Sequence, residues 1–233
     1  MIVVVTGMPR SGSTFSYNVA RLALETRGAV YVEPTPDIAG AICRASDAPD
    51  ILIKAHSLDA VGTALIKQSA VRSICTIRNL IDSAASLIEV FGVPSESAVA
   101  TLKTWLSMYN DIKRFSLVVP YDQVENDPAK VAQAIVDYIL PCSGIDAAAI
   151  ARTFSKSEAL RISRDIDPTG PTTQHLGHTY FDKRNFLHRR HVQSLEERKA
   201  DGRIPADALE RIQQLLKPEV DAIERDMRTY RVE

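Results

Sequence analysis

The sequence predicts an α/β fold: a single three-layer domain over residues 1–233, with a central parallel β-sheet and helices on both faces. Three observations predict it. Short apolar runs rich in β-branched residues alternate with segments of helical period, the order that joins parallel strands by crossover helices. The first run ends in a glycine turn that leads into a helix. A hydrophobic fraction of 45% and a charged fraction of 24% over 233 residues suit an ordinary globular chain with a sizeable core.

Ile2 to Val5 reads as a buried first strand. A helical stripe of Phe15, Val19, Leu22 and Ala23 follows within Thr14 to Arg27, and Gly28 stops it. Ala29 to Val32 is a second strand closed by Pro34 and Pro36, and Ile51 to Ile53 a third. Ser57 to Gln68 reads as a helix and Arg72 to Ile77 as the fourth strand. Helical segments run from Leu80 to Phe91 and from Val99 to Arg114, the latter carrying Trp105, Met108 and Tyr109 on a core stripe. Ser116 to Pro120 is the last strand and Pro128 to Leu140 a helix begun by Asp127-Pro128. Residues 165–191, rich in Pro, Gly, Thr and His, read as a long functional loop or lid. The region 205–230 is helical, broken or kinked at Pro218, with Leu209, Ile212, Leu216, Val220 and Ile223 forming a core face or a homodimer contact.

A net charge of −1 provides no global field for nucleic acid or an anionic membrane, so an anion site must be a local concentration of donors. Three dispersed cysteines without a CxxC pair fit a reducing compartment. The apolar opening MIVVV is too short for a signal peptide or a membrane span, and a cytoplasmic location is expected.

The turn after the first strand, GMPRSGST, offers successive backbone N–H groups and a helix N-terminus to an anion. A triphosphate loop needs a lysine where this chain has Ser13, and no strand end supplies a clean acidic partner for magnesium. The stretch Pro9-Arg10-Ser11-Gly12-Ser13-Thr14-Phe15 resembles the 5′-phosphosulfate loop of cytosolic-type sulfotransferases. These enzymes use 3′-phosphoadenosine 5′-phosphosulfate (PAPS) and release 3′-phosphoadenosine 5′-phosphate (PAP). The resemblance implies their phosphate-loop-like fold, donor binding at Pro9 to Phe15 with no metal required, and an Arg10 that stabilises charge on the leaving phosphate.

That family has a second signature, an arginine followed eight residues later by a serine, which binds the donor's 3′-phosphate. SICTIRNLIDSAASL supplies Arg78 and Ser86 at that spacing, with Leu80 where many members carry proline. Asn79 can cap the following helix, with Asp82 at its acidic third position, and Ser83 and Ser86 share a helix face. An arginine fork and a hydroxyl can grip one phosphate together.

Transfer to a hydroxyl needs a base. DILIKAHSL resembles the family's Lys-Thr-His stretch, with Ala55 in place of threonine. The resemblance implies that His56 is the general base and that Lys54 lies near the sulfuryl group or acceptor. Glu33, which follows the second strand, is the competing base, an amine-binding carboxylate or a plain strand end. The late stretch HLGHTYFDKRNFLHRRH lies where the family closes over its nucleotide, so Lys183, Arg184, Arg189 and Arg190 are further candidates for the 3′-phosphate or an anionic acceptor. His175/His178 and His188/His191 have metal-compatible spacing, but without HExxH or nearby cysteine no metal site is assigned. Tyr180, Phe181 and Phe186, interleaved with the charges, suit a lid over something flat better than an RNA-binding strip.

The expectation is therefore a sulfotransferase carrying a sulfuryl group from PAPS to a hydroxyl or amine of a small-molecule acceptor. The alternatives are an ATP- and magnesium-dependent small-molecule kinase and a non-catalytic nucleotide-binding module.

Overall fold

Each interior strand carries apolar side chains on both faces, and a parallel sheet covered by helices on both sides is what such strands build. The computed structural model describes residues 1–45, 47–176, 179–188 and 206–232. Five parallel strands form the sheet: β1 (Ile2–Val5), β2 (Val30–Pro34), β3 (Asp50–Lys54), β4 (Arg72–Ile77) and β5 (Ser116–Pro120), in the order β2-β3-β1-β4-β5. β1 is central, pairing Val3 with Leu52 of β3 and with Arg72 of β4. The chain moves toward β2 after β1 and toward β4 after β3, so the direction of winding changes at β1. The carboxyl end of that strand is where an open α/β sheet binds its ligands.

Alternation along the strands divides the core. Val4, Ile51, Ile53, Cys75, Ile77 and Val118 face one side; Val3, Val5, Leu52, Ile74 and Val119 face the other. The first side is covered by α2 (Ile38–Arg44), α3 (Ala60–Lys67), α4 (Leu80–Phe91), α5 (Ser95–Ile112) and, after α9, α10 (Ala206–Thr229). The second is covered by α1 (Ser13–Glu25), α7 (Pro128–Ile139) and α8 (Ala147–Thr153). Between them in the chain lie α6 (Tyr121–Asn126) and α9 (Lys156–Arg164). Trp105 is buried, stacks on Tyr109 at 4.9 Å and donates Nε1–H to the Thr6 carbonyl at 3.3 Å, so this pair is core.

Two segments depart from the sequence reading. The stretch taken as a long loop contains a hairpin, β6 (Thr173–Leu176) with β7 (Thr179–Asp182). Its strands are only four residues long, too short to impose a period on the sequence. α10 runs unbroken through Pro218. Pro218 is solvent-exposed, so the carbonyl one turn earlier can turn to water, while Ile212, Leu216 and Ile223 stay anchored in the core. That face packs inward against α4 and α5. Among the described residues no helix is long and apolar enough to cross a membrane.

Leu216 is fully buried one residue pair before Pro218. Leu216→Ala should lower unfolding free energy by about 2–5 kcal/mol. A lower urea midpoint at unchanged slope is the expected readout; an unmoved midpoint would mean that α10 does not dock.

Candidate active site

The strand ends gather the chemistry at one edge of the sheet. Between β1 and α1 the backbone turns through two left-handed residues, Arg10 at φ 65° and Gly12 at φ 82°. A non-glycine residue there is uncommon, and its surroundings must hold it. They do so through the carbonyls. His56 Nδ1 meets the Gly7 carbonyl at 2.7 Å. Ser11 donates its N–H (3.2 Å) and its hydroxyl (2.6 Å) to Met8. Ser83 donates to the Pro9 carbonyl, and Arg78 Nη1 donates to the Arg10 carbonyl at 3.0 Å. Gly7 allows the close approach: a Cβ there would collide with the Ser13 side chain and the Thr76 hydroxyl. α1 then begins at Gly12 without a capping side chain. An uncapped helix end presents N–H donors and the positive pole of the helix to an anion.

Asn79 caps α4 as its position suggests, its Oδ1 accepting from the N–H groups of Ile81 at 2.9 Å and Asp82 at 3.2 Å. This cap fixes the start of the helix that carries Ser83 and Ser86. Arg10 Nε donates to Ser86 Oγ at 2.9 Å. The first and second motifs are thus directly bonded to each other. Arg78 sits over Tyr121, its guanidinium carbon 4.3 Å from the ring centre, and its buried Nε–H finds no acceptor among the described residues.

Arg10 and Arg78 border a cleft of 740 Å³, within the range of small-molecule sites, whereas Ser86 lies behind Arg10 and does not line it. Pro9, Arg10, Gly12, Ser13, Thr14 and Phe15 line it, together with Lys54, His56 and Arg78. Ser11 lies beneath it, fully buried and bonded to Thr76. A smaller pocket of 330 Å³ lies against the same strand end, lined by Pro34, Thr35, Pro36, Ala55, Ser57, Phe181 and Phe186. Lys54, His56 and His188 border both cavities.

Lys54 is buried and donates to the Thr14 hydroxyl at 2.6 Å. Burial, and then the Arg10 charge, push its pKa down to about 7. The Gly7 carbonyl can only accept, so His56 Nδ1 carries the proton and its Nε2 lone pair is exposed to the cavities. Burial pushes the His56 pKa down to about 4, helped by Lys54 and Arg10 and opposed by the Gly7 hydrogen bond. Solvent reaches the ring from the cleft and offsets part of this push, but the two cations preserve its direction. A neutral imidazole with a bare Nε2 is a proton acceptor at neutral pH.

Other expected residues lie elsewhere. Glu33 accepts from Arg44 Nη2 at 2.7 Å, Arg44 Nε at 3.1 Å and Tyr31 at 2.9 Å, and borders neither cavity. Lys183 is exposed, and Arg184 pairs with Glu25 at 3.1 Å; neither lines the cleft or the smaller pocket. Arg189, Arg190, His178 and His191 lie outside the described residues. Among the described residues no cluster of three or more His, Cys, Asp or Glu could hold a metal ion. Reasoning from sequence missed Asn18, Phe91, Tyr121, Glu125, Phe154 and Lys156 on the cleft wall. The signal for Tyr121 was available, because it directly follows β5 and strand ends share one edge of a parallel sheet.

The structure is similar to that of mouse sulfotransferase SULT7A1 complexed with PAP. The TM-score is 0.59 over 98% of this chain and 87% of that one, at 15% sequence identity. No family model matches the chain, and no curated protein matches it. The fold is sulfotransferase-like, a mixed α/β arrangement on a central five-stranded parallel sheet.

The depressed pKa of His56 carries a sign that can be checked. Its folded value lies below the ordinary 6.5, so on acidification the unfolded chain takes up this proton first. The stability held by the neutral ring is intact above pH about 6.5 and is lost as pH falls toward 4. Wild type should therefore lose urea stability relative to His56→Gln between pH 7 and 5. A pH-independent difference would show that the ring is not shielded.

Proposed function

We propose that the protein transfers a sulfuryl group from PAPS to the hydroxyl of a small neutral acceptor, with His56 as general base. The observation that carries the proposal is the bonded cluster of Arg10, Ser86 and Arg78 beside an uncapped helix N-terminus. The likeness of fold to a sulfotransferase complexed with PAP supports it.

The residues present fit such a donor. The start of α1 with Lys54 and Arg10 would hold the 5′-phosphosulfate end, and the Arg78 guanidinium at the cleft wall would hold the 3′-phosphate, with Ser86 fixing the Arg10 side chain from behind. Phe15, Val124 and Phe154 form an apolar wall suited to a flat base. When bound, PAPS would supply an activated sulfuryl group whose leaving phosphate needs no magnesium bridge.

The chain's own groups divide the remaining work. His56 Nε2 takes the acceptor proton while the Gly7 carbonyl holds the ring in its tautomer. Lys54, tied to Thr14, and Arg10 present positive charge where the leaving oxygen gains negative charge. The 330 Å³ pocket would receive the acceptor. Among the described residues it has two prolines and two phenylalanines, hydroxyls only at Thr35 and Ser57, and no carboxylate, which favours an uncharged hydroxyl compound over an amine. In a triphosphate loop the position of Ser13 is held by lysine; here the buried cation comes from β3.

Titration calorimetry with PAP, AMP and ATP, first in chelator and then with magnesium, tests the reading. PAP should bind at least about tenfold more tightly than AMP, a discrimination that Arg78→Ala should abolish; because Arg78 also holds the Arg10 carbonyl, AMP affinity should fall as well, by less than PAP affinity. Equal affinity for PAP and AMP in the wild type would refute the assignment, and a preference for ATP that depends on magnesium would favour a kinase.

A further inference from the structure

We infer that the segment following α10 is a strap that presses α6 onto the anion cradle, and that Gln123 is the positioning residue through which it acts. The inference rests on the sulfotransferase reading for its ligand, because α6 carries the ring over which Arg78 sits.

α6 directly follows the edge strand β5 and has only six residues, too few for a helix to hold its own shape. Tyr121 and Val124 line the cleft and touch the cradle itself: a Cβ added to Gly12 would lie 3.1 Å from the Tyr121 ring and 3.5 Å from Val124. The Tyr121 ring also supports the Arg78 guanidinium at 4.3 Å, while Arg78 Nη1 donates to the Arg10 carbonyl. A displacement of α6 would therefore carry Arg78 with it and loosen the turn.

Asp122 and Gln123 meet the chain that follows α10. The Gln123 carboxamide grips one residue twice: Nε2 donates to the Val232 carbonyl at 3.2 Å, and Oε1 accepts from the Val232 N–H at 3.1 Å. Arg231 Nη2 donates to Asp122 Oδ2 at 3.2 Å. Val232 is buried in the core that holds Val119, Val131 and Val136, whereas Ile212, Leu216 and Ile223 of α10 lie in the core on the other face of the sheet. The strap thus passes from one core to the other at the carboxyl end of β5 and pins α6 where it crosses.

The ties on α6 differ in strength. Glu125 accepts from the Tyr121 hydroxyl at 3.0 Å and from Lys156 at 3.1 Å, but that ion pair is exposed, as is the one between Arg231 and Asp122. Exposed pairs of this kind contribute little. The half-buried amide clasp, backed by a buried valine side chain, resists displacement better. Gln123 lines neither cavity, and so acts on a ligand through α6.

Gln123→Met keeps the length of the side chain and removes both hydrogen bonds. Calorimetry should show PAP binding about fivefold weaker, with AMP weakened by less, because Arg78 faces the 3′-phosphate. Hydrogen exchange on the same intact protein, measured without ligand, should accelerate at the amides of residues 121–126 and stay as in wild type across α3. Unchanged exchange over 121–126 overturns the strap. Faster exchange there with undiminished PAP affinity overturns the positioning role, and so do equal losses for PAP and AMP, which would mark a general loosening of the cradle. A wild-type protein that binds no PAP overturns instead the sulfotransferase reading beneath the inference, while the exchange result still decides the strap.

Discussion

Four consecutive carbonyl groups, Gly7 to Arg10, are each held by a donor, and the site depends on that arrangement. Turning them away from the cleft leaves the following amides to open α1 toward it, which is how a peptide turn becomes an anion cradle. The donors come from separate parts of the chain: His56 after β3, Ser11 within the turn, Ser83 on α4 and Arg78 after β4. Each hydrogen bond is worth about 1 kcal/mol alone, but together they offset the cost of a left-handed Arg10. The same bonds place His56 and Arg78 on the cleft wall. Structural support and the proposed binding function would therefore be carried by the same side chains.

This sharing changes the meaning of the two sequence motifs. Read separately, Pro9 to Phe15 and the pair Arg78 and Ser86 are grips for two ends of one nucleotide. In the folded chain the second motif also builds the first: Arg78 holds the Arg10 carbonyl, and Ser86 accepts from the Arg10 side chain. Their spacing along the chain thus meets an architectural demand as well as the proposed binding one. The cations work in a similar way. Lys54 and Arg10 lower the proton affinity of His56, and Arg10 lowers that of Lys54. An anionic ligand would relieve this repulsion on arrival, so the protein stores in its own electrostatics a preference for occupancy.

Much of the sheet was legible in the sequence because its signal is local. The runs at residues 2–5, 51–53, 72–77 and 116–120 are strands in the structure, and Asn79 and Asp127 cap the helices that follow them. Short or polar elements left no such signal. α2 and α8 have seven residues each, α6 has six, and α9 is strongly hydrophilic. The stripe on α1 was only partly legible, because Ser16, Asn18 and Arg21 are buried there by contacts from distant segments. The late basic stretch offered both cations and aromatics; the structure brings the aromatics Phe181 and Phe186 to the smaller pocket and leaves Lys183 and Arg184 off the lining of both cavities. Periodicity reports which face of an element is apolar; it cannot report which loop will fold back onto that face.

The central claim is that one ligand with two phosphates spans the cradle and Arg78. Phosphorus NMR of bound PAP tests this most directly, since its 5′- and 3′-phosphates give separate resonances. The account predicts that both resonances shift on binding and that Arg78→Ala returns the 3′ signal to its free position while the 5′ signal stays shifted, though displaced by the loss of support at Arg10. A 3′ resonance that never moves in the wild-type complex would contradict it.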